Sequence, residues 1–505
     1  MEKLPDKEKS MNRDKSVDAG RLVTRDKRVD IVGGGLAGSE AALQLVAAGF
    51  QVRLIEMRPF RTTGAHKTDL YGELVCSNSL KATKSASAAG MLKAELSVLG
   101  SRLLSFAYES SVPAGGALAV DRSEFARRIT DAIERSSIQR IVAEVVSIED
   151  DGSLLLEDGQ HDESYRLEDP APFCIVASGP LTSSSFAQSL LELTGQHHLA
   201  FYDAAAPIVF ADSLDLEVVF TQSRYEEGVG DYLNAPFTKD EYESFINELV
   251  DADCVIKKSF ETKELFQACQ PIEEIARKGF DAPRYGPLKP VGLTDPRTQK
   301  RPWAVVQLRR EGIDGQCYNL VGFQTNLTFS EQQRVFRMIP GLEHAEFARY
   351  GVMHRNTFIN APALLDTHLR LHSEKADRIP QEIYVAGQLG GTEGYVEAIA
   401  SGLLAGMSVR GAAAGIDLDA LPRETALGAL IAYATDPTTK DYQPMHVNFG
   451  ILPPFKERIR NKQERYARYA ERGKAALEAY LATLTEQGLS PLPIEKSTAE
   501  AGSFR

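Results

Sequence analysis

Long apolar runs, paired-cysteine spacing and an excess of positive charge are all missing from this 505-residue sequence. The best apolar stretch, residues 398–409, ends at Arg410; a helix that crosses a membrane needs about 20 such residues, so no membrane partner is expected. The five cysteines, Cys76, Cys174, Cys254, Cys269 and Cys317, are an odd number with no CxxC and no Cys/His zinc spacing. That argues against a secreted disulfide framework and gives no sign of a metal site. Residues 1–27 mix acidic and basic side chains and lack the apolar core of a signal peptide, which predicts a flexible extension on a cytoplasmic protein. With 57 Lys and Arg against 70 Asp and Glu, the formal net charge is −13. Any nucleic-acid partner must therefore be gripped by a local basic patch, not by the global field.

What is present is ordinary globular composition, 43% apolar and 25% charged, at a length that predicts roughly two to four folded units. Val29–Val32 reads as a buried strand, Gly33–Gly38 as a turn, Ser39–Ala48 as a helix closed by Gly49, and Gln51–Ile55 as a second strand. Arg122–Arg135 has amphipathic helical spacing, Ile141–Ile148 reads as one strand before a turn at 149–153, and Phe173–Ala177 as a buried strand. From Phe201 the chain becomes more polar, with helices expected at Lys239–Leu249 and Thr262–Cys269. Residues 201–317 are read as an inserted domain between two parts of a first domain, 28–200 and 318–450, because Tyr318–Phe323 and Ile383–Ala386 look like strands returning to it. Glu393–Val409 reads as a helix rich in small residues; residues 451–505 are expected to form a charged helix from Phe455 to about Thr485 and then fray.

Gly33, Gly35 and Gly38 spell GxGxxG between strand and helix, and Glu56 follows the next strand. Gly33 permits a tight turn, Gly35 lets a pyrophosphate approach, and Gly38 lets the helix pack on the strand. The backbone of Gly34, Leu36 and Ala37 would then face the anion, and Glu56 would accept ribose hydroxyls. A glycine turn that binds nothing is the bland alternative, but strand, helix and acid all fall at the required places. The expected fold class is α/β, a Rossmann-type FAD-binding domain with an inserted α/β domain. FAD, not NAD, is suggested by IYVAGQLGGTEGYVEAIASGLLAG, where a strand, a glycine turn and a helix recur far downstream. Such an element can aim a helix N-terminus at a flavin, with Gly387, Gly391 and Glu393 as contacts. No second GxGxxG follows a strand, so NAD(P)H would visit without a Rossmann domain of its own.

Two thiols stand out. Cys76 in GELVCSNSLK precedes Ser77 and Asn78, both good helix N-caps, with Lys81 near enough to lower a thiol pKa. Cys269 in LFQACQPIEE ends a helical stretch before Pro271. Cys174 sits mid-strand in a core position, and Cys254 and Cys317 lack supporting polar neighbours. VGGGLAGSEAALQL, EMRP, ELVCSNSLK, VPAGGALAVDR, ASGPLTS, CQPIEE, RYGPLKPVGLTDPRT, YNLVGFQTNL and AGQLGGTEGYVEAIASGLLAG follow in order between about Val29 and Gly450. Together they closely resemble the folate- and FAD-dependent tRNA uracil-5-methyltransferases of the Gid type. Gly34 departs from that pattern, where Ala is expected, as do the extension and the tail.

The resemblance implies methylation of uridine C5 at position 54, in the T-loop of tRNA, with 5,10-methylenetetrahydrofolate as carbon donor, FAD as cofactor and NAD(P)H as reductant. Uracil C5 becomes nucleophilic only after a thiolate adds at C6, and a base must later remove the C5 proton. The positions matching the family's two functional cysteines are Cys269, assigned as nucleophile, and Cys76, as base or partner in the flavin-linked step; which thiol takes which part stays open. His354 could stack on the folate ring or be a structural histidine, and Arg355 and Asn356 are candidate folate or flavin contacts. Asp121-Arg122 reads as a helix cap, and Glu273 and Glu274 as solvated residues before substrate-orienting ones. For tRNA, Arg284, Lys289, Arg297, Lys300, Arg301, Arg309 and Arg310 cluster beside Tyr285 and Trp303, and a second basic run lines residues 456–474. Cations interleaved with aromatics suit an RNA backbone and unstacked bases. A related FAD-dependent tRNA-modifying enzyme, or a tRNA-binding flavoprotein without methyl transfer, are the competing readings.

Overall fold

The computed structural model describes residues 26–492 apart from 64, 76, 197–199, 205, 225–229, 256–269, 312–315, 352 and 440–441. Five parallel strands make the first sheet, in the order Glu382–Val385, Phe173–Val176, Arg28–Val32, Gln51–Glu56, Gln139–Val142. All four residues of Phe173–Val176 are buried, so both faces of the sheet are covered at its centre, which is why Phe173–Val176 and most of Arg28–Val32 are apolar and not alternating, whereas Gln51–Glu56 carries Arg53 and Glu56 and the edge strand Gln139–Val142 is largely exposed. Asp30 is a fully buried charge within the central strands. Arg53, opposite it in register, bonds both its carboxylate oxygens at 2.6 and 2.9 Å, which offsets the cost of placing a charge there.

The first strand turns directly into the helix Leu36–Ala47, three residues before the expected start. The 20-residue helix Tyr395–Ala414 lies against it. Its small residues are what allow the approach: a Cβ on Gly402 would stand 2.2 Å from the carbonyl oxygen of Ala37.

The chain leaves this domain through Ala200–Ala204 and returns through Met353–Thr357, two strands that pair antiparallel with Ala200 opposite Thr357. Between them six antiparallel strands form a second sheet, in the order Phe220–Thr221, Tyr232–Phe237, Ala304–Glu311, Cys317–Leu320, Ile208–Phe210, Phe347–Arg349. It has its own core, around Phe237, Tyr242, Phe245, Phe323 and Phe336. The helix Lys239–Asp251 on this core begins with a reciprocal capping box between Thr238 and Glu241.

Several expectations need correction. Tyr318–Phe323 does not return to the first sheet: Cys317–Leu320 pairs with Ala304–Glu311, with Leu308 opposite Leu320, so the inserted segment continues through Arg349 and does not end at residue 317. Burial of an apolar strand does not reveal which sheet buries it. Ile141–Ile148 is two strands, Gln139–Val142 in the first sheet and Glu144–Ile148 in a small antiparallel one, parted where the Ala143 N–H donates to Glu56 O at 3.1 Å. The tail helix starts at Lys462, not Phe455, because Asn461 caps the N–H groups of Gln463 and Glu464. Thr262–Cys269, residues 1–25 and residues 493–505 lie outside the described residues. No described helix is long and apolar enough to cross a membrane.

Candidate cofactor and substrate site

Among the described helices of eight residues or more, two lack a side-chain N-cap: Leu36–Ala47 behind Gly35 and Tyr395–Ala414 behind Gly394. Both N-termini open onto one cavity of about 500 Å³. Uncapped N–H groups and the positive end of each helix are left for a ligand's negative charge.

The phosphate turn shows what each glycine is for. Gly33 has φ +102°, and a Cβ there would lie 2.5 Å from Ala177 O; one on Gly38 would lie 1.9 Å from Gly33 O. A Cβ on Gly35 would meet nothing within 4 Å, because that side faces the cavity, which Leu36 and Ala37 also line. Gly34, the departure from the expected Ala, has a cause: a Cβ would stand 2.4 Å from the Tyr71 ring.

Glu56 is not simply waiting for a ribose. Its Oε2 accepts the Gly34 N–H at 2.7 Å, and its Oε1 accepts Arg58 Nε at 2.8 Å and the Arg58 N–H at 3.1 Å. Burial pushes this carboxyl up, but the Arg58 charge and these donors outweigh it and hold the pKa below the usual carboxylate range. A carboxylate offers about four lone-pair directions, which leaves one for a hydroxyl in the cavity.

At the other end, Gly387, Gln388 and Glu393 line the cavity. The Gly387 N–H is already given to Ser401 Oγ at 2.7 Å. Gln388 Nε2 is buried with no partner, a donor that a ring carbonyl or nitrogen would satisfy. Gly391 is not in the lining. It packs on Tyr442, whose hydroxyl would lie 1.5 Å from a Cβ there. Two uncapped helix ends, an ionised acid and an orphan amide donor fit an extended dinucleotide such as FAD.

Cys76 and Cys269 lie outside the described residues, but their surroundings do not. Val75 and Ser77 both line the cavity, as does Gln324. The Gln324 carbonyl accepts the Ile272 N–H at 2.7 Å, so the chain after Cys269 is moored at the cavity edge. Glu273 reinforces the mooring. Fully buried, it accepts the Asn326 N–H at 2.7 Å and the Thr325 hydroxyl at 2.9 Å, and burial pushes its carboxyl up to about 7. The solvated-face reading of Glu273 is therefore wrong, while Glu274 pairs with Arg277.

Lys81, expected beside the Cys76 thiol, gives its ammonium to the buried Glu397 at 2.9 Å. His446 lines the same end, and burial, with the Lys81 charge, pushes its pKa down, so its imidazole is neutral at pH 7. His354 and Asn356 lie on the returning strand, whose Thr357 N–H donates to Pro180 O in the cavity wall at 2.7 Å; their side chains lie outside the described residues. Asp121 caps the helix Arg122–Arg135, as expected. Cys174 is buried and its thiol raised by burial. Cys254 does have a polar neighbour, Arg277 Nη2 at 3.6 Å from Sγ, yet burial still raises it.

The basic cluster divides. Arg284 lies 3.7 Å over the Trp303 ring and donates to Trp303 O at 2.7 Å, while Lys289 is exposed; neither lines the cavity. Arg297 is paired with Asp295. Arg309 leaves the surface cluster altogether: it is buried and lines the cavity. Arg58, Gln388, Tyr395 and His446 are not singled out by the sequence reading, although the first three fall within EMRP and AGQLGGTEGYVEAIASGLLAG, and Arg309 is read there as a surface cation for tRNA.

A family model described as glucose inhibited division protein A matches residues 28–417. Among curated proteins, methylenetetrahydrofolate--tRNA-(uracil-5-)-methyltransferase TrmFO of Bacillus pumilus is 47% identical over 444 residues, 88% of this chain and 96% of that protein. The protein of the same name from Synechococcus sp. strain JA-3-3Ab is 49% identical over 454 residues, 89% of this chain and 95% of its own. Among solved structures, Aquifex aeolicus GidA is similar with a TM-score of 0.61 at 16% identity, covering 93% of this chain and 77% of that one. At that identity the likeness speaks to the fold.

Proposed function

The chain belongs to the glucose inhibited division protein A family and, with its curated relatives, to the methylenetetrahydrofolate--tRNA-(uracil-5-)-methyltransferases, and on that premise we propose which residues carry the reaction. The protein is a folate-dependent flavoenzyme that methylates C5 of uridine in tRNA. Our reading places that uridine at position 54, in the T-loop, and the enzyme in the cytoplasm, with NAD(P)H as reductant. When bound, reduced FAD carries the one-carbon unit from 5,10-methylenetetrahydrofolate and supplies the electrons that complete the methyl group.

The chain's own residues do the rest. The N–H groups of Gly35, Leu36 and Ala37 hold the pyrophosphate, those of Gly33 and Gly34 being given to Ile55 O and Glu56 Oε2, the ionised Glu56 takes a ribose hydroxyl, and Gly387, Gln388 and Glu393 border the flavin. Cys269 thiolate adds to uracil C6, pushing the C5=C6 electron pair into an enolate so that C5 can bond the incoming carbon. Cys76 then takes the C5 proton as the one-carbon unit is released from its carrier, leaving a methylene on C5; once a reducing equivalent has been added to that carbon, the electron pair returned to the ring reforms C5=C6 and expels the Cys269 thiolate. His354 and Asn356 are assigned to folate, and Arg284 and Lys289 to the tRNA backbone. The target base must leave its stack to reach the cavity.

The observation that carries this reading is that both uncapped helix ends face one cavity whose wall includes both neighbours of Cys76. The test is purified protein with unmodified tRNA, NAD(P)H and methylenetetrahydrofolate labelled in its one-carbon unit. Label at uracil C5 is expected; label arriving only from S-adenosylmethionine would overturn the reading. Cys269→Ala should keep tRNA binding and lose methylation, and full activity in that variant would remove Cys269 from its role.

A further inference from the structure

The strand Ala304–Glu311 belongs to the inserted sheet, yet Arg309 on it points out of that sheet's core and into the cofactor cavity, 7% exposed. Its Nε donates to Asn78 Oδ1 at 2.7 Å and its Nη2 to Ser77 Oγ at 2.8 Å. The fully buried Asn78 returns a bond from Nδ2 to the carbonyl of Arg310 at 3.0 Å. On the other side of position 76, Arg349, from the edge strand of the same sheet, donates to Val75 O at 3.0 Å. The first residue of the long helix completes the enclosure, with the Ser77 N–H donating to Tyr395 Oη at 3.0 Å.

The peptide around Cys76 is thus held between two bodies far apart in sequence: the inserted sheet through Arg309, Arg310 and Arg349, and the cofactor helix through Tyr395. We propose that Arg309 is a positioning residue for Cys76, its planar fork spanning Ser77 and Asn78 so that the inserted sheet fixes the chain on both sides of position 76 at the cavity wall. This rests on the assignment of Cys76 to the reaction. The geometry of the fork is essential to it. A lysine keeps the charge but presents one compact donor group and cannot span both acceptors in the same way.

The test uses FAD-loaded protein with Arg309→Met, Arg309→Lys, Ser77→Ala and the double variant Arg309→Met/Ser77→Ala. Two readouts are needed: the kcat and KM for methyl transfer, and the rate at which iodoacetamide alkylates Cys76 at fixed pH, followed by peptide mass spectrometry. We expect kcat to fall at least about tenfold in both Arg309 variants, with KM for tRNA and folate within about threefold, as for an interaction that sets a reacting group. Ser77→Ala should lower kcat less, and the double variant should be no worse than Arg309→Met alone, since the two residues form one device. Cys76 should alkylate at least about fivefold faster once the fork is gone, because Ser77 and Asn78 are then no longer held and the chain on that side of position 76 opens more often. If Arg309→Met does not retain FAD, Arg309→Lys and Ser77→Ala carry the test. The proposal is overturned by kcat within twofold of the parent in Arg309→Lys, by multiplicative effects in the double variant, or by an unchanged alkylation rate. Absence of methyl transfer in the parent protein would instead remove the functional reading, while the alkylation rate would still report on the fork.

Discussion

The two ends of the cofactor cavity are built on opposite plans. The phosphate end is organised by one continuous turn, residues 33–38, closed by Glu56 on the adjacent strand and backed by Ala177 and Ser178. The reacting end is assembled from separate segments: 75–81, Arg309 and Arg349 from the inserted sheet, 387–397 and His446. A contiguous site can be specified by small residues at fixed spacing. A composite one depends on long side chains reaching between elements, so its parts fail one at a time.

The sharpest way to break this contrast is within the phosphate turn itself. Gly38→Ala puts a Cβ 1.9 Å from a backbone oxygen that cannot yield, and the strand-to-helix turn must open. We expect loss of soluble folded protein, or at least about 3 kcal/mol of stability. Gly35→Ala adds the same methyl where it meets no protein atom, so the thermal midpoint without FAD should hold while FAD affinity drops about tenfold or more. Thermal melts and flavin absorbance of the two variants separate folding from binding. Equal melting losses would show that the open face of Gly35 is not a ligand face.

Next in size is Arg58, which is 3% exposed and binds Glu56, Glu73 and the carbonyls of Thr68 and Leu70. Arg58→Leu leaves the Glu56 carboxylate buried without its counter-charge, a change that costs about 3–5 kcal/mol. The Glu56 pKa should climb out of its depressed range, so that FAD affinity in this variant becomes sensitive to pH where the parent's is not. Titrating FAD binding between pH 5 and 8 checks both. A flat profile would mean Arg58 does not hold Glu56 ionised.

The Glu273 mooring should respond to pH alone. Its folded carboxyl is raised to about 7, above the unfolded value, so the native state holds the proton more tightly. That contribution is fully present below the unfolded pKa and is lost as pH rises through about 7. A shift of this size corresponds to up to about 3 kcal/mol lost between acid and pH 8. Glu273→Gln should flatten that segment of the stability profile, measured by denaturant unfolding at pH 5 and 8. An unchanged slope would sink the linkage.

This contrast also explains what the sequence could and could not disclose. GxGxxG announces itself because its glycines recur at fixed spacing in one short piece of chain, Gly33 and Gly38 relieving clashes with Ala177 and Gly33 and Gly35 leaving an open face on the cavity. The central strands of the first domain, Arg28–Val32 and Phe173–Val176, are readable because burial on both faces makes them largely apolar. Arg309 looked like one more surface cation in a basic run, since nothing local distinguishes an arginine that faces a cavity from one that faces solvent. Likewise Cys317–Leu320 is an apolar strand whose sheet is decided by pairing with Ala304–Glu311; the short connection with Gly312, Asp314 and Gly315 was the hairpin signal available. Glu273 was misread for the same reason, because a buried acid is recognised by its partners at Thr325 and Asn326, which lie in another segment.

The smallest expected effect lies outside the cavity, on the surface assigned to tRNA. Lys289 is exposed, so Lys289→Ala should cost nothing in stability. If it meets a phosphate, the variant raises KM for tRNA by a few-fold, leaves kcat alone, and reduces the slope of log affinity against log salt by about 0.7–0.9. Arg284 differs in kind. Its guanidinium stacks on Trp303 and is tied to a backbone carbonyl, so Arg284→Ala removes packing as well as charge and should lower the melting temperature together with tRNA affinity. Binding measured from 50 to 300 mM salt distinguishes these. A reduced slope in both variants places RNA on this face of the inserted segment. An unchanged slope in both would move the RNA to the other basic surface, the tail helix Lys462–Glu486, where Arg468 and Arg472 lie over the Phe455 ring. Either result bears on the composite end of the cavity, because RNA held by the inserted segment would press on the same sheet that carries Arg309.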